Sequence, residues 1–250
     1  MKLTVVGCSG SVPGPDSPAS SYLLEADGYR LLIDLGHGAF GALQHHVSPG
    51  DVDAIFVSHL HADHCIDLTA YVVGLRYGGD GFRSGDRRIP LIGVAGTRDR
   101  LETAYDPMAR KPGTQELFSF HTATLGELGP FRMSYAPMNH PTPTNAVRVE
   151  HGGRSLVYSG DTGESPELVE LAQGADVLLC EASVGPDETV IPNLHLTGRQ
   201  AGEHAHRAGV DRLIVTHVPP WNSREVAGEQ AATAFDGVLD VATAGAVYEI

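Results

Sequence analysis

The segment SHLHADH, residues 58–64, places three imidazoles and one carboxylate within six consecutive positions: His59, His61, Asp63 and His64. The apolar run AIFV before it predicts a buried strand, so these side chains leave the carboxyl end of that strand, where α/β folds place ligands. His59 and His61 lie on the same side of an extended chain, whereas Asp63 and His64 follow a turn and face a second direction. One tetrahedral ion does not easily accept all four side chains, but two ions roughly 3.5–4 Å apart do.

Three further ligand-type residues also follow apolar strands. His140 follows SYAPMN, Asp161 follows LVYSG, and His217 follows LIVT. Because four such strand ends are much less frequent by chance than a single HxH pair, the sequence predicts a site for two metal ions. Carboxylate and imidazole ligands without a thiolate suit zinc, manganese or iron.

Two similar hairpins indicate a chain with two matching halves. The segment SSYLLEADGYRLLIDLG has an Asp–Gly turn and a second strand that ends at Asp34, and VRVEHGGRSLVYSGDTG has a Gly–Gly turn and a second strand that ends near Asp161. Helices alternate with buried strands elsewhere, and their first residues are capped by Ser165, Thr197 and Ser223. The pattern predicts one mixed α/β layered domain over residues 1–250, with no linker and two pseudo-duplicated halves.

Composition restricts the partners of this chain. Its 250 residues are 42% hydrophobic and 19% charged, with a formal net charge of −14, which repels nucleic acid and anionic membranes at long range. The three cysteines, Cys8, Cys65 and Cys180, are odd in number and lack a CxxC pair, so a reducing cytoplasm is expected. No segment approaches the roughly 18 apolar residues of a membrane span. The stretches 76–88 and 105–116 are expected to be mobile surface loops.

These residues match a known family. SHLHADH, together with MNH (138–140), SGDT (159–162) and THVPP (216–220), resembles the metallo-β-lactamase superfamily. The resemblance implies a four-layer αββα sandwich with two divalent ions at its edge, zinc being favoured and manganese or iron the alternatives. It assigns one ion to His59, His61 and His140, the other to Asp63, His64 and His217, and a bridging position to Asp161.

Two further segments narrow the branch of the family. CEAS (180–183) and NLHLT (193–197) are similar to segments of the ribonuclease Z group, where a Glu–His pair transfers protons. The resemblance implies this role for Glu181 and His195, which together with Asp63 are the catalytic candidates. A phosphodiester's leaving oxygen needs a proton, which a histidine oriented by a carboxylate can donate near neutral pH. A metal-bound hydroxide is the expected nucleophile.

The substrate expectation rests on a missing insertion and on a closer resemblance. Ribonuclease Z enzymes clamp tRNA with an arm inserted between the third histidine ligand and the bridging aspartate, whereas only a hairpin separates His140 from Asp161 here. A closer resemblance rests on LTVVGCSGSVPGPDSPASSYLLEADG (3–28), SHLHADHCIDL (58–68), LCEAS (179–183), LHLTG (194–198) and THVPPWNSRE (216–225). These segments closely resemble actinobacterial proteins described as atypical class II cyclic-AMP phosphodiesterases. The expected function is hydrolysis of a cyclic nucleotide, cyclic AMP being favoured, by a protein that does not bind membranes or, in this interpretation, nucleic acid. A homodimer is a family-based expectation.

Other interpretations stay open. A ribonuclease Z-like nuclease without the arm, a thioesterase or glyoxalase-type hydrolase, and a non-enzymatic metal-binding module share most of these residues. Asp34 is either a support for a ligand imidazole or a turn residue. Ser9 either donates to a phosphate or forms a tight turn, and Trp221 either stacks on a base or covers the core. The remaining histidines are expected to be at the surface or structural: His37, His45, His46, His121, His151, His204 and His206.

Overall fold

The computed structural model describes residues 1–82, 85, 87–108 and 113–250. Its strands are β1 (Lys2–Gly7), β2 (Ser21–Ala26), β3 (Tyr29–Ile33), β4 (Ala54–Phe56), β5 (Ile89–Gly93), β6 (Phe118–Thr122), β7 (Glu127–Leu128), β8 (Phe131–Pro137), β9 (Asn145–His151), β10 (Arg154–Tyr158), β11 (Val177–Glu181), β12 (Arg212–Thr216), β13 (Val238–Val241) and β14 (Val247–Glu249). Its α-helices are α1 (Ala39–Leu43), α2 (Ala62–Cys65), α3 (Leu68–Tyr77), α4 (Thr97–Tyr105), α5 (Pro166–Leu171), α6 (Gly198–Ala208) and α7 (Arg224–Ala232). Short 3-10 helices cover Pro49–Asp51, Asp80–Phe82 and Thr114–Glu116.

The strands form two seven-stranded sheets with matching topology. The order is β14-β1-β2-β3-β4-β5-β6 in the first sheet and β13-β12-β11-β10-β9-β8-β7 in the second. Each sheet contains an antiparallel hairpin, β2–β3 or β9–β10. Beside the second strand of each hairpin lie three further strands, each paired in parallel with its neighbour. The C-terminal strand β14 forms one edge of the first sheet by pairing with β1, and the short strand β7 forms one edge of the second sheet by pairing with β8. The two predicted pseudo-duplicated halves are therefore confirmed.

The sheets pack face to face, and helices cover both outer faces. The core between the sheets joins residues of both, among them Leu24 and Phe56 from the first and Phe131, Leu156 and Ile214 from the second. A second buried cluster lies under α1, α3 and α4, and a third lies under α5, α6 and α7. The order of layers is α, β, β, α, which confirms the predicted four-layer sandwich.

The helix starts on the second sheet follow the predicted caps. The Ser165 hydroxyl accepts the Leu168 N–H at the start of α5, and Ser223 does the same for Val226 in α7. Thr197 and Gln200 form a capping box on α6, which satisfies backbone donors that the first turn leaves free. Helix α7 ends at Ala232.

The two expected surface loops are partly structured. Helix α3 extends through Tyr77, and a 3-10 helix follows at Asp80–Phe82, where the Phe82 ring lies 6.2 Å from the Phe40 ring. The second stretch includes the 3-10 helix Thr114–Glu116. Residues 83, 84, 86 and 109–112 of these two stretches lie outside the described residues. In the described part of the chain, no helix is long and apolar enough to cross a bilayer.

Helices α6 and α7 approach each other closely at Gly202, and this contact generates a prediction. A Cβ atom at Gly202 would overlap the Ala231 carbonyl oxygen on α7. We expect Gly202→Ala to lower the free energy of unfolding by about 1–3 kcal/mol, as overpacking does. Urea unfolding midpoints measure the change.

The matched control is Gly41→Ala in α1, where a Cβ atom would meet nothing within 4 Å. Since alanine restricts the unfolded chain, this variant should be neutral or up to about 1 kcal/mol more stable. Equal midpoints for the two variants would contradict the close α6–α7 contact.

Candidate metal centre

The carboxyl ends of the strands in both sheets meet at one edge of the sandwich. His59, His61, Asp63 and His64 follow β4, the last two on the short helix α2. His140, Asp161 and His217 follow β8, β10 and β12. The topology therefore brings together residues that are up to 158 positions apart in the sequence.

The first group contains His59, His61, His140 and Asp161. His61 Nδ1 lies 3.0 Å from His59 Nε2 and 3.2 Å from His140 Nε2, and Asp161 Oδ2 lies 3.6 Å from His59 Nε2. Donor atoms around one tetrahedral ion with bonds of about 2.1 Å are roughly 3.4 Å apart. The spacing of this group therefore fits a single ion.

The second group contains Asp63, His64, His217 and again Asp161. His64 Nε2 lies 3.4 Å from Asp63 Oδ2 and 3.1 Å from Asp161 Oδ1. His217 Nε2 lies 3.7 Å from Asp63 Oδ2 and 3.3 Å from Asp161 Oδ2. Asp161 is the member that the two groups share, and it is the residue for which the family resemblance implies a bridging position. Binding of ions by these seven residues stays a prediction.

Hydrogen bonds on the outer side of the imidazoles leave lone pairs directed inward. His140 Nδ1 donates to the Leu194 carbonyl at 2.9 Å, and His64 Nδ1 donates to Asp34 at 2.7 Å. A neutral ring that donates from Nδ1 is an acceptor at Nε2, so these outer bonds leave Nε2 of both rings as the atom available to a cation once any proton there is displaced. His217 Nδ1 lies 2.8 Å from the Ser20 hydroxyl, which supports the same arrangement.

Unpartnered atoms at the centre support the fit to cations. His64 Nε2, His217 Nε2 and Asp161 Oδ1 are fully buried and have no hydrogen-bond partner among the described residues. A buried polar atom without a partner costs about 1–3 kcal/mol. All three atoms face the space between the shared carboxylate and the imidazoles, where a divalent ion would satisfy them together.

The charges of the centre also favour the binding of cations. Burial opposes ionisation of Asp161, but His217, His64 and His59 hold the pKa of its carboxyl well below the usual value. Burial likewise opposes protonation of His64, yet Asp161 and Asp34 raise its pKa well above the usual value. In the absence of a cation the site therefore retains a proton, which a metal ion would displace.

Asp34 supports this centre from behind and also occupies a turn. Its carboxylate accepts bonds from the Ser58 N–H at 2.7 Å, the Ser58 hydroxyl at 2.8 Å, the Tyr158 hydroxyl at 2.8 Å and His64. Its backbone has φ 57°, in the left-handed region, which aspartate tolerates better than most residues. Both sequence interpretations of Asp34 therefore hold at once.

Glu181 and His195 form a pair beside the two groups. Glu181 is fully buried at the end of β11, and its oxygens accept the backbone N–H groups of Thr162, Ser183 and Leu196 at 2.8, 3.1 and 3.3 Å. His195 Nδ1 donates to Glu181 Oε1 at 2.8 Å. Both oxygens of the Glu181 carboxylate therefore have hydrogen-bond partners, which a buried acid at the end of an apolar strand needs.

The ring of His195 lies between histidines of the two groups. Its centroid is 5.4 Å from that of His140 and 5.9 Å from that of His217, and its side chain is 18% exposed. Burial opposes its charge, but the Glu181 carboxylate raises the pKa of His195 to about 9. His195 is therefore a proton-carrying group at the accessible side of the centre.

Several other candidates lie outside the two groups. His204 is buried and accepts the Ser165 N–H at 3.0 Å, so it is structural as predicted. Ser9 donates to the Val12 carbonyl at 2.7 Å, which is the tight-turn interpretation. Trp221 is 60% exposed, which excludes the interpretation that it covers the core. It lies in a turn in which the Asn222 N–H donates to the Pro219 carbonyl.

The residues that contact the imidazoles from outside were not predicted from the sequence. Ser20 and Tyr158 belong to no recognised motif, and they reach the centre only through the packing of the two sheets. Leu194 lies within NLHLT, but the motif does not show that its carbonyl would accept a bond from His140. Tyr158 directly precedes SGDT, which is the only local signal that could have identified it.

The fold and this histidine–carboxylate edge define a class that comparison with known proteins identifies. A family model described as the Beta-lactamase superfamily domain matches residues 29–218, and the chain belongs to that family. An uncharacterised protein of Mycobacterium leprae is 43% identical over 256 residues, covering 100% of this chain and 89% of that protein.

Two other relatives carry functional names. The probable metallo-hydrolase YhfI of Bacillus subtilis is 27% identical over 249 residues, covering all of both chains. Its crystal structure matches this fold with a TM-score of 0.85 and 25% identity, over 99% of each chain. A ribonuclease Z of Mycobacterium bovis is 29% identical over 273 residues, covering 96% of this chain and 95% of that protein. The superfamily and the two candidate clusters support a metal-dependent hydrolase.

The contact between Ser20 and His217 generates a prediction. We expect Ser20→Ala to weaken the binding of one zinc ion by roughly tenfold or more, because the partner that orients a ligand imidazole is lost. Calorimetric titration of metal-free protein with zinc measures both sites separately.

Ser21→Ala is the matched control, since Ser21 is the next buried serine and donates to the Asp34 carbonyl instead of an imidazole. It should leave both zinc affinities within about twofold of the wild type. Identical effects of the two variants would show that Ser20 does not orient His217.

Proposed function

We propose that this chain is a binuclear metal-dependent phosphodiesterase that hydrolyses a cyclic nucleotide, with cyclic AMP favoured. The observation that carries the proposal is the Glu181–His195 pair beside the two candidate metal groups. Zinc is the favoured metal, and manganese or iron would suit the same donors.

The pair favours a reaction with a poor leaving group. Opening a cyclic phosphodiester expels a sugar alkoxide, which needs a proton as it leaves. A thioester expels a thiolate, whose conjugate acid has a pKa near 8.5 and which departs without such help. A histidine held by a buried carboxylate is a proton donor for the first case, so the pair supports a phosphodiester over a thioester.

Each residue then has a distinct role. Divalent ions, when bound, would act as Lewis acids that reduce charge on the phosphoryl oxygens and acidify an attacking water. Asp161 and the histidines would hold the ions, and Asp34 would fix the ring of His64. Asp63, whose pKa is kept below its usual value by His64 and His217 despite burial, would be an ionised acceptor for the water's hydrogen bond. His195 would deliver a proton to the leaving oxygen while Glu181 holds its ring.

A small substrate fits better than tRNA. Between His140 and Asp161 the chain forms only the β9–β10 hairpin, from Asn145 to Tyr158. With a net charge of −14, the protein is poorly suited to neutralise the many phosphates of a nucleic acid. The resemblance to ribonuclease Z still makes an armless nuclease the second candidate, because a relative of that name aligns over 96% of this chain.

The proposed function also has consequences for the binding partner, the oligomeric state and the cellular location of the protein. Its partner would be a small phosphodiester, with neither membrane nor nucleic acid required, and a homodimer is the expected assembly. The cysteines are free and buried, which supports a cytoplasmic location because a reducing compartment keeps such thiols free.

A panel of substrates tests the reaction class. Zinc-loaded protein should hydrolyse cyclic AMP and bis(p-nitrophenyl) phosphate, and His59→Ala or Asp161→Ala should abolish both activities, because each removes a donor of the candidate centre. The panel includes 2′,3′- and 3′,5′-cyclic nucleotides, a linear dinucleotide, precursor tRNA and a thioester. Cleavage of precursor tRNA alone would favour the nuclease, and thioester hydrolysis without phosphodiesterase activity would refute the proposal.

The role of His195 is tested separately. His195→Ala should lower kcat for cyclic AMP roughly 10²–10⁴-fold, the usual contribution of a positioned general acid, while zinc content stays at the wild-type level. The loss should be smaller for a substrate with a p-nitrophenolate leaving group, which departs without a full proton transfer.

His206→Ala is the matched control, since His206 is an exposed histidine whose ring lies 3.7 Å from Asp236. It should retain wild-type kcat. Loss of zinc in His195→Ala, with equal losses for both substrates, would show that His195 is a ligand or a structural residue instead of a proton donor.

A further inference from the structure

A groove of about 340 Å³ lies directly beside the candidate centre. It is bordered by the connection after β5, the end of β6 and the connection between β8 and β9. Its lining includes Val94, Ala95, Thr122, Thr124, Met138 and His140. Because His140 belongs to the first candidate metal group, a ligand in this groove would continue into the centre.

The described lining of the groove contains no aspartate, glutamate, lysine or arginine. Val94 and Met138 are mostly buried and each leaves 8% of its surface accessible. The hydroxyls of Thr122 and Thr124 lie 3.3 Å apart on exposed side chains. Apolar contacts are therefore combined with hydroxyl groups that can donate or accept a hydrogen bond.

This chemistry selects against a second phosphate. A phosphate group is commonly stabilised by arginine or lysine side chains, and the groove has neither among its described residues. A neutral, flat group with polar edges would instead gain apolar contact and hydrogen bonds. The volume lies within the range of small-molecule pockets, about 300–1,000 Å³.

A cavity on the other flank is a weaker alternative. It lies between the loop from Cys8 to Ser17 and the segment from Val218 to Arg224, and its volume is about 150 Å³. That volume is below the range for a small-molecule pocket. Arg224 also gives this cavity a charge that a neutral group does not need.

We propose that the groove beside His140 holds the neutral nucleoside part of the substrate while its phosphate lies at the metal centre. This inference rests on the proposed function and adds to it the place where the base and sugar bind. It also implies that selection among substrates is for one phosphate with one neutral organic group, instead of a polyphosphate or a nucleic-acid chain.

Comparison of two ligands that share the phosphate tests the groove without relying on turnover. Zinc-loaded protein is titrated calorimetrically with 5′-AMP and with inorganic phosphate. The wild type should bind 5′-AMP at least about tenfold more tightly, because the groove adds apolar contact and hydrogen bonds to the phosphate interaction that the two ligands share. Ala95→Phe, at an exposed position in the groove, should remove this advantage and leave phosphate affinity unchanged within about twofold.

Ala232→Phe is the matched control, since Ala232 is exposed at the end of α7 and outside the groove. It should keep the full preference for 5′-AMP. Thr124→Phe narrows the groove from the opposite side and replaces Ala95→Phe if that variant unfolds at a lower temperature than the wild type.

The outcomes separate the two proposals. Equal affinities of the wild type for 5′-AMP and phosphate, or an advantage that both groove variants retain, would overturn the groove assignment even if cyclic AMP is hydrolysed. Loss of the advantage in the groove variants supports the assignment. Failure of the wild type to hydrolyse any cyclic nucleotide, measured separately, would overturn the proposed function alone.

Discussion

The carboxylate of Asp161 is buried between two groups of histidines, with Nε2 of His59, His64 and His217 at 3.6, 3.1 and 3.3 Å from its oxygens. An ionised carboxylate in such a position is costly unless positive charge is close. Asp63 adds a second acid, so protonated histidines or metal ions must balance the site. The rest of the edge is consistent with this need for positive charge. Hydrogen bonds from outside orient the imidazole rings, and the Nε2 atoms of His64 and His217 next to Asp161 have no hydrogen-bond partner among the described residues.

The fold supplies these positions by bringing equivalent strand ends of two matching sheets to one edge. Left-handed backbone at Asp34 and His217, with φ 57° in both, turns the chain sharply after β3 and β12. Such conformations cost of order 1–3 kcal/mol and persist where surrounding contacts enforce them. Gly10 allows one of those contacts, since a Cβ atom there would overlap the His217 carbonyl. The Leu194 carbonyl accepts a hydrogen bond from His140, which ties the loop of the candidate proton donor His195 to the first candidate metal group.

Much of this arrangement could be predicted because its signals are local. The spacing in SHLHADH indicates that His59 and His61 face one direction and Asp63 and His64 another. The similar hairpins that end near Asp34 and Asp161 indicate the two matching halves. The supporting contacts of Ser20 and Tyr158 could not be predicted, since they join residues more than a hundred positions apart through sheet packing. The sequence did not decide between the two interpretations of Trp221, because nothing local distinguishes an exposed tryptophan from a buried one. The groove beside His140 could not be predicted from the sequence either, because its lining comes from separate segments between residues 93 and 145.

In the proposed function, Glu181 and His195 favour an ester whose leaving group needs a proton, and the proposed mechanism requires two ions that share Asp161. Anomalous diffraction from crystals of the zinc-loaded protein tests this condition most directly. We predict two zinc peaks roughly 3.5–4 Å apart, one bound by His59, His61 and His140 and both in contact with the Asp161 carboxylate. A single peak, or two peaks of which only one contacts Asp161, would contradict the account.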